Sequence, residues 1–352
     1  MLLNFICIPS YFCFAETEED VVYQILDENY IEINSSYNVN VGDMFISDDN
    51  MLYEIYLVDD EIFVAYARVV EKVTLPKVEE KNTQIIQVGT HVKRIGMYHT
   101  HNDESYVLGD GYESVYGEGG IMDIGDELAR ELKKHNITVY QNDALHLPHD
   151  SRAYVRSKTT AQNLLNKYEL DAIFDVHRDG VPRKQFLGEI NGHEMSKIRM
   201  VVGKSNPNYE KNLEFAKAIK AYADKKYPGL IKDIYMGSGN YNQNLSKTSM
   251  LFEMGTYLIE KDYVKSSIPY LADTIDKVMY TDAIESPDGE SFGENSIKEE
   301  NNFDAEINVS PENKEEVSPA TKLSFVSAFL VISIGVGVWL ILKTLKAKKG
   351  KK

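Results

Sequence analysis

Apolar and polar positions along this chain fall into distinct regimes. From Glu16 to about Leu75, Tyr, Val and Ile dominate, and YEIYLVDDEIFVAYARVV alternates around Asp59-Asp60 as a β-hairpin does. Residues 76–90 are polar and irregular and read as a linker. From His91 to about Ile284 the period switches repeatedly between strand and helix. RIGMYHT, ITVYQN, DAIFDVH, IRMVVG and SMLFEMG predict strands. IGDELARELKKHN carries Ile124, Leu128 and Leu132 at helical spacing and predicts a helix closing near Asn136. AQNLLNKYEL, NLEFAKAIKAYADKKY and the stretch from Ala272 to Tyr280 predict further helices, with Pro228-Gly229 terminating the second. Such alternation implies an α/β domain at 91–284, a mainly parallel sheet with helices on both faces, preceded by a small β-rich domain at 16–75.

The ends of the chain have a different character. MLLNFICIPSYFCFA is short and apolar and ends in Cys13-Phe14-Ala15, which predicts an export signal over residues 1–15. Residues 285–321 turn to Glu, Asn, Ser and Pro with hardly any large apolar side chains. A segment like that cannot bury enough surface to fold alone, so it predicts a flexible acidic tether. Leu323 to Leu342 is uncharged and bounded by Lys322 and Lys343, close to the roughly 20 residues that span a bilayer. A transmembrane helix is therefore expected at 322–343. The basic tail at 344–352 would sit in the cytoplasm and the bulk of the chain outside, as a single-pass cell-membrane protein.

Charge and cysteine usage narrow the function. Lys and Arg number 38 against 55 Asp and Glu, a net charge of -17, so no nucleic-acid partner is expected. Both cysteines lie within the signal segment, leaving no thiol nucleophile or disulfide downstream. GEGG and GKSNPN lack the spacing of nucleotide-binding loops.

Three predicted strands end in residues capable of chemistry. RIGMYHTH carries His99 and His101, DAIFDVH carries His177, and SMLFE carries Glu253. In open α/β sheets such strand ends meet in the ligand crevice. Two neutral imidazoles and a carboxylate form a common catalytic zinc set, in which a further carboxylate serves as general base. His101, His177 and a nearby Glu are candidate ligands and Glu253 the candidate base, since a carboxylate inside SMLFEMG is costly to bury without a role. Asp175 lies on the strand face of His177, placed to orient it. His146 and His149, in a Pro-bearing loop, read as solvated, and His91, His135 and His193 as surface residues.

YHTHNDESY, YVRS with HD just upstream, FDVHRDG, VVGKSNPNYEKN, KYPGL, YNQNLS and LFEMGTYLIEKD, in this order and at these spacings, resemble the stage II sporulation protein P family over roughly His91 to Tyr280. The resemblance implies an exported peptidoglycan hydrolase similar in fold to zinc-dependent N-acetylmuramoyl-L-alanine amidases. It implies action in septal wall thinning and engulfment, with other wall-remodelling and membrane proteins as partners, and an endopeptidase activity on stem-peptide crosslinks. Laid on this sequence, it puts metal ligands at His101 and His177, with His99 as a neighbour, and the catalytic carboxylate at Glu253. For the middle ligand it points to Glu104, with Glu118 and Glu113 as alternatives. Arg178, Asn242 and Gln243 are expected near substrate. The implied reaction is hydrolysis of the amide between the lactyl group of N-acetylmuramic acid and L-Ala. Members of the family carry an N-terminal anchor, whereas here the expected anchor is C-terminal. The alternative reading is a catalytically silent wall-binding scaffold.

Overall fold

The computed structural model describes residues 21–78 and 92–280, with the backbone of 284–285 and 291–292. The expected signal, the transmembrane segment at 322–343, the basic tail, nearly all of the tether and most of the linker lie outside the described residues. Among the described residues no helix is long and apolar enough to cross a membrane.

The elements run β1 (Val22–Leu26), β2 (Glu32–Tyr37), β3 (Met44–Ile46), β4 (Met51–Asp59), β5 (Val64–Lys72), β6 (Lys77–Val78) and β7 (Arg94–Tyr98). There follow α1 (Val107–Asp110), α2 (Gly120–Lys134), β8 (Thr138–Asn142), α3 (Ala153–Lys167), β9 (Ala172–Asp179), β10 (Leu187–Ile190) and β11 (His193–Ser196). The chain continues as β12 (Ile198–Gly203), α4 (Tyr209–Lys226), β13 (Ile231–Gly237), β14 (Ser249–Thr256), α5 (Lys261–Tyr280), β15 (Ile284–Glu285) and β16 (Ser291–Phe292). The hairpin expected around Asp59-Asp60 is β4 with β5, paired antiparallel from Asp59↔Val64 outward. In α2 the stripe of Ile121, Ile124, Leu128 and Leu132 is buried, and Asn136 in the left-handed region ends the element.

Among the described residues eleven strands form one sheet in the order β2-β1-β5-β4-β3-β13-β12-β14-β9-β7-β8. From β8 through β7 and β9 to β14 it is parallel, but β12 runs antiparallel to β14 while pairing parallel with β13. The sheet is thus mixed, and the expected mainly parallel arrangement applies only to part of it. The reason is the connection after Gly237: only a short turn at Gln243–Leu245 precedes β14, so the chain reverses at the same end of the sheet. The β-rich segment continues the sheet, because β3 pairs with β13 through Ile46↔Ile234. It keeps an apolar cluster of its own, Tyr23, Ile25, Phe45, Ile55, Ala65 and Ala67, shared with Tyr235 of β13.

Strand alternation divides the core. Ile95, Met97, Phe174, Val176, Met200 and Phe252 join the cluster of α2, α4 and α5, whereas Tyr98 and Ile173 join Ala161 and Leu164 of α3. Helices therefore cover both faces. Burying one such Ile or Leu side chain contributes about 1.5–3 kcal/mol.

On the α3 face, further along the sheet, lies a charged cluster. Arg199 of β12 donates to Asp233 Oδ1 at 2.8 Å and to Asp179 Oδ2 at 2.8 Å. Its remaining donors go to Asn34 Oδ1 at 2.8 Å, the Ser35 carbonyl at 2.8 Å and Ser36 Oγ at 3.3 Å. Lys232 Nζ stands 2.6 Å from Asp233 Oδ2. β2 is the far edge of the sheet, so these bonds show that the sheet curls round on itself and sets β2 over β12.

Arg199→Met would leave Asp179 and Asp233 buried beside a single lysine. It should cost about 3–5 kcal/mol of stability, read from the midpoint of denaturant unfolding. Lys184→Met, which removes the exposed partner of Glu32, should change it by less than about 1 kcal/mol.

Candidate functional site

The centre is built where β7, β9 and β14 end. Past Tyr98 the chain carries His99 back to the Met97 side, where its Nδ1 lies 2.8 Å from the Val176 carbonyl. A side chain at Gly125 of α2 would begin 2.5 Å from His99 Nε2, so glycine there makes room for the imidazole. His99 is thus packed beneath α2. His101 and His177 instead gather with Glu104, their ligand atoms all within 4.8 Å of one another. Glu253 is the register partner of His177 on one side and of Arg199 on the other, so the three side chains stand in a row across β9, β14 and β12. A β-bulge follows Glu253, with Gly255 at φ 81°, a backbone that favours glycine and accounts for the final residue of LFEMG.

Glu104 Oε1 lies 3.2 Å from His101 Nδ1 and 3.4 Å from His177 Nδ1, while Oε2 accepts the Arg178 backbone N–H at 2.8 Å. Two ligands about 2.0–2.1 Å from a tetrahedral zinc stand about 3.3 Å apart. The two distances from Glu104 Oε1 to the imidazole nitrogens therefore fit such an ion. Asp175 Oδ1 lies 2.9 Å from His177 Nε2. Its carboxylate also accepts from the Thr100 backbone N–H at 2.8 Å and from Thr100 Oγ1 at 2.6 Å. The Asp175 charge beside Nε2 favours a proton on that nitrogen, and Nδ1 faces Glu104.

Burial favours the neutral form of His177, but the Asp175 and Glu104 carboxylates outweigh it and raise its pKa well above the usual imidazole range. Burial lowers His101. Burial likewise works against the Glu104 carboxylate, yet His177, His101 and Arg178 hold it well below its ordinary value. For Glu253 the compensation falls short: burial, aided by the charge on Asp179, outweighs His177 and Arg199 and pushes its carboxyl to about 8, and among the described residues its Oε2 is buried without a hydrogen-bond partner. A dication at the centre would displace the proton on His177 and draw Glu253 back down.

The other expected residues fall differently. Glu113 and Glu118 are exposed and outside the group. Arg178 and Asn242, expected to touch substrate, are spent within the chain. The Arg178 guanidinium donates to the Ser105 and Glu113 carbonyls, and the Asn242 amide donates to the Tyr154 carbonyl and Ser157 Oγ. Gln243 accepts from the Gly203 backbone N–H and donates to the Val201 carbonyl. His146 is not solvated but buried between the His99 carbonyl and Thr160 Oγ1, both at 2.8 Å. His149 is a component that the sequence reading missed. Its ring stacks on His101 at 4.0 Å between centroids, and its Nδ1 lies 3.0 Å from Asp103 Oδ1. Tyr154 adds an edge contact to His101 at 5.5 Å. The signal was present in HDSRAY, but its proline-bearing loop resembled a solvated turn.

These features define an α/β protein with a buried His–Glu–His cluster of metal-binding geometry and a carboxylate beside it. Residues 47–276 match the stage II sporulation protein P family, and the chain belongs to it. It is 29% identical over 181 residues to stage II sporulation protein P of Bacillus subtilis (strain 168), covering 46% of this chain and 45% of that relative. The match thus spans less than half the length of that relative. Among solved structures, N-acetylmuramoyl-L-alanine amidase AmiC2 of Nostoc punctiforme is similar at 14% identity and a TM-score of 0.34, over 54% of this chain and 98% of that one. The CwlD amidase from Clostridioides difficile, in complex with the GerS lipoprotein, is similar at 11% identity and a TM-score of 0.35, over 53% and 97%. Superpositions this loose carry no inference to this chain.

Because His177 holds a proton that a metal must displace, zinc uptake at neutral pH should release roughly one to two protons per ion. Affinity should rise with pH and level off above the raised His177 value. Titration calorimetry in buffers of different ionisation enthalpy checks both; uptake without proton release would contradict the assignment.

Proposed function

We propose that this protein is a zinc-dependent peptidoglycan hydrolase that cleaves the amide between N-acetylmuramic acid and L-Ala, with an endopeptidase activity on stem-peptide crosslinks. Its place is septal wall remodelling and engulfment during sporulation. It is held at the cell membrane by 322–343, with the folded domain outside and the basic tail inside, among other wall-remodelling and membrane proteins. The observation that carries the chemistry is the convergence of His101, Glu104 and His177 beside the unpartnered carboxylate of Glu253. Membership of the family supports the process.

A zinc ion held by His101, Glu104 and His177 would supply Lewis acidity toward a carbonyl oxygen and make a water more acidic. Glu253, ionised when that charge is present, takes a proton from the attacking water. It returns the proton to the leaving amine as the C–N bond breaks. Asp175, itself held by Thr100, places its charge beside His177 Nε2 and favours a proton there. The Arg178 N–H fixes the outer oxygen of Glu104, so the carboxylate does not rotate away.

The full chain should release stem peptides with a free L-Ala amine from sacculi, identified by mass spectrometry. Glu253→Gln should retain zinc and lose hydrolysis by about 100-fold or more. A variant that digests sacculi like the parent would remove Glu253 from the mechanism. A parent that binds zinc and sacculi without releasing product would leave a wall-binding scaffold.

A further inference from the structure

The loop between Glu104 and α2 is tightly held yet turns large apolar side chains to water. Ser105 N donates to the Glu113 carbonyl at 2.9 Å and Val115 N to the Asp103 carbonyl at 2.8 Å. Ser114 Oγ donates to Asp103 Oδ2 at 2.6 Å, and the Arg178 guanidinium caps the Glu113 carbonyl at 2.9 Å. Ser114 bridges to Glu104 itself, so the loop is fastened to the metal-type cluster. Two positions on either side of Ser114 stand Tyr112 and Tyr116, exposed to 71% and 83%. Neither has a hydrogen bond or ring contact among the described residues. Leu108 is 58% exposed and Leu145, on the facing loop, 51%. Leu145 Cδ1 stands 3.6 Å from where a side chain at Gly117 would begin, which brings the two loops together.

Large apolar groups fixed beside a reaction site and left uncovered mark a binding surface. An ordered loop also loses little freedom when a ligand settles on it. Two features identify the ligand. A tyrosine ring presents a negative face to the slightly positive C–H groups that line one side of a pyranose ring. The exposed carboxylates of Glu113 and Glu118 border the tyrosines, and the chain as a whole carries -17, so an anionic polymer is repelled whereas a neutral one is not.

We propose that Tyr112 and Tyr116, flanked by Leu108 and Leu145, form a platform for the glycan strand of peptidoglycan, holding the sugar backbone alongside the cluster. This extends the hydrolase reading above and rests on it for the choice of polymer.

The test is made in full-length Glu253→Gln protein, so that bound wall is not digested, with and without Tyr112→Ala and Tyr116→Ala together. Co-sedimentation is measured with intact sacculi, and calorimetric titration with a soluble, neutral oligomer of β-1,4-linked N-acetylglucosamine. The proposal expects the parent to bind both, and the double substitution to weaken binding to both by about tenfold or more. An unchanged melting temperature and zinc content would confirm that the fold is intact. Equal binding by the two proteins, or a parent that binds sacculi but not the neutral N-acetylglucosamine oligomer, overturns the platform; the first result would leave the tyrosines to a protein partner. Cleavage by the unsubstituted chain is assayed separately. Tyrosine-dependent glycan binding without cleavage would sink the hydrolase reading alone, and cleavage without it the platform alone.

Discussion

A carboxylate cannot stay ionised in a protein interior unless its charge is answered, and Glu104 is the place where this requirement organises the molecule. The answering groups come from three directions: His101 from the end of β7, His177 from β9, and the backbone N–H of Arg178. The guanidinium of Arg178 then fixes the loop that follows Glu104. One interior anion thus decides how two strand ends and a long loop must meet. His177 is answered in turn by Asp175, which is answered by Thr100, so the order extends outward from the centre. Glu253 stands in the same row without such support, and a group kept short of compensation beside a compensated set suits it to give and take protons.

The second constraint is the guanidinium of Arg199. It spends its donors on strands that are remote in sequence, and through Asp179 and Asp233 it fixes the ends of β9 and β13. The N-terminal strands are therefore part of the scaffold that carries Glu253, although they supply no residue to the cluster.

How much could be read from the chain depended on whether a residue's role was local. The strands ending in His101, His177 and Glu253 announced themselves by short apolar runs, and α2 and α4 by helical spacing. β13 did not, because Lys232 and Asp233 interrupt its apolar pattern and only the remote Arg199 cluster explains their burial. α5 begins at Lys261, well before the expected Ala272; Val264, Ile268, Leu271 and Ile275 keep the buried stripe continuous through Pro269. At the site, alternation could not separate His101 from His99, which share one parity; the family resemblance favoured His101, and the structure packs His99 beneath α2. Glu104 was put ahead of Glu113 and Glu118 by the family resemblance alone, and the folded loop groups it with His101 and His177. His149 was hidden because stacking on His101 is a contact between residues far apart along the chain.

The bonds between β2 and Arg199 join positions 165 apart in the chain in the case of Asn34. Loops that long close slowly, because their entropy is lost before any contact rewards it. A chain made from its N-terminus would complete β1 to β5 well before β13 exists to take the edge of β3. Until then that edge offers unpaired N–H and C=O groups to any strand nearby. Correct folding of this protein is thus a race between the arrival of its own β13 and pairing with a neighbouring chain.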